Sequence, residues 1–317
     1  MLGRRRLLVL TAGALVAGAC ASRSGPPWET TRGESHRLTG RIWDVGAERF
    51  VGERALVERL VAADFVLLGE KHDNPDHHRL QARLVNALID AGRRPAVAFE
   101  MLRADDEPAI TRYLASAPAD AAGLGAAVHW DRSGWPAFEL YQPIADAAVR
   151  AHVPVVAADL SGAMLAGLRR QGASTLDRAF AVRHALDRPA PPDVQAAMAA
   201  ELDAAHCGQT SKAVLDRMIL IQRARDAWMA DRLADQGQAV LIAGSGHVRQ
   251  DRGVPTYLAR RAPAARVASV AFVEVVEGVT TPAPYGERFG AARPPFDYVW
   301  FTPRVDDEDA CARARTR

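Results

Sequence analysis

Two short apolar runs, each leading directly into Gly-x-x-His, constrain this chain more than any other feature. Residues 65–68 (FVLL) run into Gly69, Glu70, Lys71 and His72. Residues 239–243 (AVLIA) run into Gly244, Ser245, Gly246 and His247. Apolar runs of this length bounded by glycine read as buried strands. A glycine at the strand end lets the chain turn sharply or approach another group closely. The histidine that follows then stands at the carboxyl edge of a sheet, where open α/β proteins place their ligands. The two histidines, distant in sequence, are expected to converge there.

A βα rhythm surrounds both runs. Asn74, Pro75 and Asp76 form a helix start, because Asn or Asp caps and Pro fits a first turn. The helix is predicted over 77–91, stopped by Gly92. Further strands are predicted over 96–99, ending on Glu100, over 153–158, ending on Asp159, and over 267–273, with helices over 144–152 and 254–261. Residues 38–44 suggest a first strand and 52–62 a first helix. Strands alternating with helices imply an α/β fold with a mostly parallel central sheet flanked by helices. Between residues 162 and 235 the rhythm fails: the stretch is rich in Ala, Leu, Arg and Asp, and reads as a smaller inserted all-helical lid subdomain. Residues 274–295 read as an irregular excursion, and 297–302 as a returning edge strand.

The N-terminus reads as targeting sequence. Arg4, Arg5 and Arg6 precede an apolar stretch over 7–16 and then small residues before Cys20. This reads as a secretion signal over 1–19, whether a lipoprotein signal, a plain cleaved signal or a translocation signal using the arginines, and is too short for a membrane span of about 20 apolar residues. It resembles a bacterial lipoprotein cleavage box, which would make Cys20 the lipidated first residue of the mature chain. Residues 20–37 would form the tether, 38–302 the folded domain and 303–317 a charged flexible tail. The formal net charge is only +2 and no long basic run exists, which argues against nucleic acid as a partner. Cys207 and Cys311 lie far apart; an oxidising compartment permits a disulfide between them, but nothing in the sequence indicates one.

Four polar positions fall where strands are predicted to end: Glu70 with His72, Glu100, Asp159 and His247. Ends of one parallel sheet face one crevice. Histidine with carboxylate suits a divalent metal or a general acid–base pair. His72, His77, His78 and Gln81 form a second group at a helix N-terminus, a place that attracts anions. Met218, Gln222, Arg225 and Met229, spaced four, three and four apart, line one stripe of a long helix, and this mixture suits a large planar ligand carrying acids.

Several segments together resemble the ChaN-like haem-binding lipoproteins, within the superfamily that includes Tiki, TraB and erythromycin esterase proteins. They are LGEKH (68–72), NPDHHRLQ (74–81), FEM (99–101), QRARDAWMA (222–230), AGSGHVR (243–249) and GVP (253–255). The resemblance implies a lipoprotein of the cell envelope, anchored at the outer membrane, that binds haem non-covalently for haem and iron uptake. It also implies a homodimer sharing haem and an outer-membrane haem receptor as partner. A tyrosine is the implied iron ligand, with a histidine assisting, and Tyr141 is the candidate. Glu70, His72, His78, Gln81, Glu100, Gln222, Arg225 and His247 would line the haem pocket. The superfamily also implies an alternative, a metal-dependent hydrolase. There His72, His247 and Glu100 would hold Mn, Co or Zn, and Glu70 or Glu100 would activate water. A third reading is a structural outer-membrane lipoprotein without catalysis.

Overall fold

The computed structural model describes residues 27–306 and residue 311, so the signal-like segment and Cys20 lie outside the described residues. Among the described residues, eight strands alternate with ten α-helices. The chain opens with β1 (Ile42–Asp44), β2 (Arg49–Val51), α1 (Glu53–Val61), β3 (Phe65–Glu70), α2 (Pro75–Asp90) and β4 (Ala96–Arg103). It continues through α3 (Glu107–Ala115), α4 (Leu124–Ala127), α5 (Phe138–Arg150) and β5 (Val155–Asp159). Four helices follow: α6 (Gly162–Gln171), α7 (Arg178–Arg183), α8 (Pro192–Ala205) and α9 (Lys212–Ala234). The last elements are β6 (Ala239–Gly244), α10 (Val254–Arg261), β7 (Val267–Glu274) and β8 (Tyr298–Thr302).

The strands form one sheet in the order β2-β1-β8-β7-β3-β6-β4-β5. From β8 to β5 every neighbouring pair is parallel, while β1 runs antiparallel to both β8 and β2. The expected mostly parallel α/β sheet is therefore present. Its central strands are buried on both faces, which explains their continuous apolar composition. Val66, Leu68, Val97 and Phe99 face a core closed by α1, α2 and α5. Phe65, Leu67, Ala98 and Leu241 face a second core closed by α6, α9 and α10.

Three sequence expectations change. Residues 298–302 form no edge: β8 lies between β7 and the β1–β2 hairpin, whose second strand is only three residues long and partly exposed. Helix α5 starts at Phe138, six residues before the predicted start, and carries Pro143 within it. This places Tyr141 on a helix face rather than in a loop. Finally, Cys207 and Cys311 form a disulfide with Cα atoms 5.4 Å apart, tying this point of the tail to the end of α8.

The helical stretch after β5 is present, and its last member does more than cap. Ala224, Ala227, Met229, Ala230 and Leu233 of α9 are buried in the second core against strand residues. No helix among the described residues is long and apolar enough to cross a membrane.

Gly69 shows why the first motif needs its glycine. A Cβ there would meet Val248 Cγ2 at 2.3 Å and Ser245 Cα at 3.0 Å, so the two motifs touch through it. Gly69→Ala should destabilise the protein by about 1–3 kcal/mol through overpacking. Urea unfolding should show the midpoint falling with an unchanged slope.

Candidate functional site

Strands β3, β6, β4 and β5 are adjacent and parallel, so their carboxyl ends share one edge. Glu70 is registered with Gly244 across the β3–β6 ladder. Glu100 lies one residue beyond the last β4–β6 pair, Phe99 with Ile242. β4 does not end there, as the sequence suggested. It continues to Arg103, and its pairing with β5 shifts register between Phe99 and Arg103. Such an irregularity re-aims side chains, and Glu100 turns into the protein, where it is buried.

Glu100 is the hub. Its Oε2 accepts from the Gly244 backbone N–H at 2.7 Å. Its Oε1 accepts from Arg225 Nη2 at 2.9 Å and lies 3.2 Å from His247 Nε2. Arg225, from the middle of α9, also donates through Nε and Nη2 to the two oxygens of Asp159, at 2.8 and 2.9 Å. The other nitrogen of His247, Nδ1, lies 2.6 Å from Asp226 Oδ1. Burial by itself would lower the His247 pKa, but Glu100 and Asp226 raise it to about 10, so the imidazole is a cation at neutral pH. Burial pushes Glu100 upward, yet His247 and Arg225 hold its pKa well below the usual carboxylate range.

A second cluster adjoins the first. Glu70 Oε1 accepts from Tyr141 Oη at 3.0 Å and sits 2.9 Å from His72 Nδ1. Its Oε2 lies 3.1 Å from His78 Nδ1, close enough for an ion pair but without good hydrogen-bond alignment. Burial opposes the charge on Glu70, but His78 and His72 outweigh it and set its pKa at about 2. His72 links the clusters: a Cβ on Gly244 would come within 2.9 Å of His72 Nε2 and 3.6 Å of Glu100 Oε2. Its side chain is 34% exposed, against 10% for His247, and its ring packs 4.7 Å from that of Trp135. The two motif histidines therefore converge on one crevice, with His72 at its open side.

Other candidates are placed differently. His77, His78 and Gln81 form no anion site at the start of α2; all three are buried. His77 Nδ1 accepts from Lys71 N at 2.9 Å, and its Nε2 lies 2.8 Å from Thr302 Oγ1. Burial holds it neutral, with a pKa lowered to about 3. Gln81 donates to the Leu68 carbonyl at 3.0 Å, behind the crevice. The α9 stripe is largely committed within the protein: Met229 is buried in the core, and Arg225 is bound through Nε and Nη2 to Asp159 and Glu100. Gln222 borders a space of only about 90 Å³ beside His247 and Asp226, well below the several hundred cubic ångströms of a cofactor pocket.

Tyr141 does not suit its implied role. It is fully buried, donates its hydroxyl to Glu70, and packs against His78 and Trp130. Burial first, then the Glu70 charge, raises its pKa, so a phenolate is disfavoured. The metal set of the alternative reading is also displaced. Glu100 is saturated by Arg225, His247 and Gly244, and the guanidinium already supplies the positive charge at the centre. Among the described residues, no three His, Cys, Asp or Glu side chains are arranged to hold a metal ion.

Sequence reasoning missed Asp226 as a site residue. It lies four residues after Gln222, on the α9 turn that faces His247, and that spacing was the available signal.

A parallel α/β sheet with a carboxylate–arginine–histidine cluster at its carboxyl edge defines the class. The family described as "Haem-binding uptake, Tiki superfamily, ChaN" matches residues 56–258. The chain belongs to that family. No curated protein matches the sequence. Among solved structures it is similar to one titled "Cofacial heme binding to ChaN of Campylobacter jejuni", with 22% identity, 82% of this chain and 95% of that chain covered, and a TM-score of 0.66. That likeness extends the agreement in fold. Fainter likenesses are to an erythromycin esterase, EreC, in its open conformation (14% identity, 90% and 99% covered, TM-score 0.45) and to the type III effector HopBA1 (15%, 78% and 91%, TM-score 0.43).

Removing the hub should be costly. Glu100→Ala leaves Arg225 and His247 buried without their shared anion and should destabilise the protein by about 3–5 kcal/mol. The raised His247 pKa stabilises the fold fully below its ordinary value of 6.5, and this contribution is lost as pH rises through about 10. Denaturant midpoints measured from pH 6 to 10.5 should fall across that window, and less steeply in His247→Gln.

Proposed function

We propose that this protein binds haem non-covalently at the mouth of the crevice and serves haem and iron uptake in the cell envelope. Membership of a haem-binding family over residues 56–258 carries the reading. The donor set at the mouth supports it. His72 has its Nδ1 held by the buried carboxylate of Glu70, and its Nε2 has no hydrogen-bond partner among the described residues. Histidines that bind metals commonly give the other ring N–H to a carboxylate, which orients the ring and makes it a stronger ligand. Gly244 leaves free the space that a Cβ would fill beside Nε2, and the half-buried Trp135 offers an aromatic wall. His72 is therefore the residue that would hold the iron, in place of Tyr141. Haem would supply the redox-active iron; the chain would supply a positioned imidazole and exclude water through Trp135. Glu100, Arg225 and His247 would act as a rigid floor rather than as ligands.

The finer reading keeps the lipid anchor at Cys20, an outer-membrane location, a homodimer sharing haem and an envelope receptor as partner. The signal-like start supports the anchor. Cys20→Ser should move the protein from the membrane to the soluble fraction of cells; continued sedimentation with membranes would end the lipoprotein reading.

Haemin titration of the purified protein should give a saturable Soret band. His72→Ala should weaken binding at least about tenfold and shift the band, as loss of an iron-binding residue does. Tyr141→Phe should leave the spectrum unchanged and lower only stability. The reverse pattern would restore Tyr141 as ligand. Burial works to lower the His72 pKa, but Glu70 and Glu100 raise it above 6.5, so protons compete with iron. Haem affinity should therefore increase as pH rises from about 6.5.

A further inference from the structure

Glu70 stands directly behind His72 and is sealed from solvent. Its side chain is 0% exposed, and its Oε1 lies 2.9 Å from His72 Nδ1. Tyr141 Oη donates to the same oxygen at 3.0 Å, and His78 Nδ1 lies 3.1 Å from the other. Tyr141 and His78 are buried, so of these three neighbours only His72 reaches outward. The carboxylate therefore acts on an external group chiefly through the His72 ring.

Charge behind the mouth of the crevice is unbalanced. In the adjoining cluster, three carboxylates (Glu100, Asp159 and Asp226) face two cations, Arg225 and His247. Glu70 adds a further carboxylate, whose ion-pair partners among the described residues are His72 and His78. Lys71, next in the chain, is turned to Asp73 at 2.6 Å and to Glu274 at 3.8 Å. A positive centre brought to His72 Nε2 thus meets an interior with negative charge in excess, where burial limits screening. That excess favours a centre of higher charge.

The hydrogen bond adds to the field. An imidazole that gives one N–H to a carboxylate becomes a stronger donor through its other nitrogen. Hydrogen bonding behind an iron ligand is one of the levers by which a protein sets the potential of bound haem. Stronger donation and nearby negative charge both stabilise the higher oxidation state. We propose that Glu70, acting through His72, makes this site selective for a trivalent metalloporphyrin, ferric haem, over the divalent form. The proposal rests on the haem reading above and names the form of that ligand the site is built to take. Glu70 touches His72 and not the ligand, so it is a positioning residue.

Metal-substituted porphyrins separate charge from redox chemistry. The full-length protein in mild detergent is titrated with gallium(III) and zinc(II) protoporphyrin, and with haemin before and after anaerobic reduction. Haemin should bind at least about tenfold more tightly when oxidised, which places the bound midpoint potential at least about 59 mV below that of free haem in the same detergent. Glu70→Gln keeps the shape and an acceptor but loses the charge. In that variant the preference should fall at least about tenfold and the potential rise by at least about 59 mV. The ratio of gallium to zinc porphyrin affinities should fall with it. Glu70→Asp, which keeps the charge, should retain most of the preference, and far-UV spectra check that each variant is folded. A merely structural role for Glu70 would weaken both oxidation states equally and leave the potential unmoved. Where Glu70→Gln does not fold, the oxidised-to-reduced ratio of the unaltered protein decides. If haemin gives no saturable Soret band, the haem reading fails and this inference with it. Saturable binding with equal affinity for the two oxidation states, or a ratio and potential indifferent to Glu70→Gln, would overturn the selectivity alone.

Discussion

The buried ion cluster of Arg225 with Glu100 and Asp159 holds the functional edge together. One guanidinium from α9 bridges carboxylates from β4 and β5, while Glu100 also binds the β6 backbone at Gly244. Helix α9 thereby becomes part of the site rather than a cover over it. Within a low-dielectric interior these contacts are strong only as a set, because each charge is costly when left unpaired. His247 joins the set as a cation between Glu100 and Asp226. A centre so fully satisfied is rigid and suited to positioning a neighbour, and that neighbour is His72.

The two halves of the crevice therefore divide the work. The Glu100 half is closed, its carboxylates paired with Arg225 and His247. The Glu70 half has the same logic on its inner side, where His78 and Tyr141 hold the carboxylate, but it keeps one imbalance: His72 is anchored through one nitrogen and half-open on the other. Binding of an external metal centre fits that single open position better than it fits the saturated interior.

Strand positions were legible because doubly covered strands need unbroken apolar runs, and glycine marks where they end. The helix cap at Asn74 and the helix over Val254–Arg261 were equally legible from local chemistry. Strand β2 of the β1–β2 hairpin was not, since a three-residue strand with an exposed position lacks a periodic signal. Tyr141 fell outside the helix predicted over 144–152, yet α5 begins at Phe138, holds Pro143 internally and turns the phenol into the core. The disulfide between Cys207 and Cys311 could not be read from spacing, because its partners are 104 residues apart in sequence and meet only in the folded chain.

By itself, the sequence determined a parallel α/β sheet, the family, and the meeting of His72 with His247, because period-dependent burial and glycine-bounded strand ends are local properties written into successive residues. Only the tertiary structure decided which polar groups remain available. Whether Arg225 faces a ligand or two carboxylates, and whether Tyr141 is open or sealed, depend on neighbours from strands and helices far apart in the chain. Those pairings are fixed by packing and by the high cost of an unpaired buried charge, and neither can be read from the order of residues.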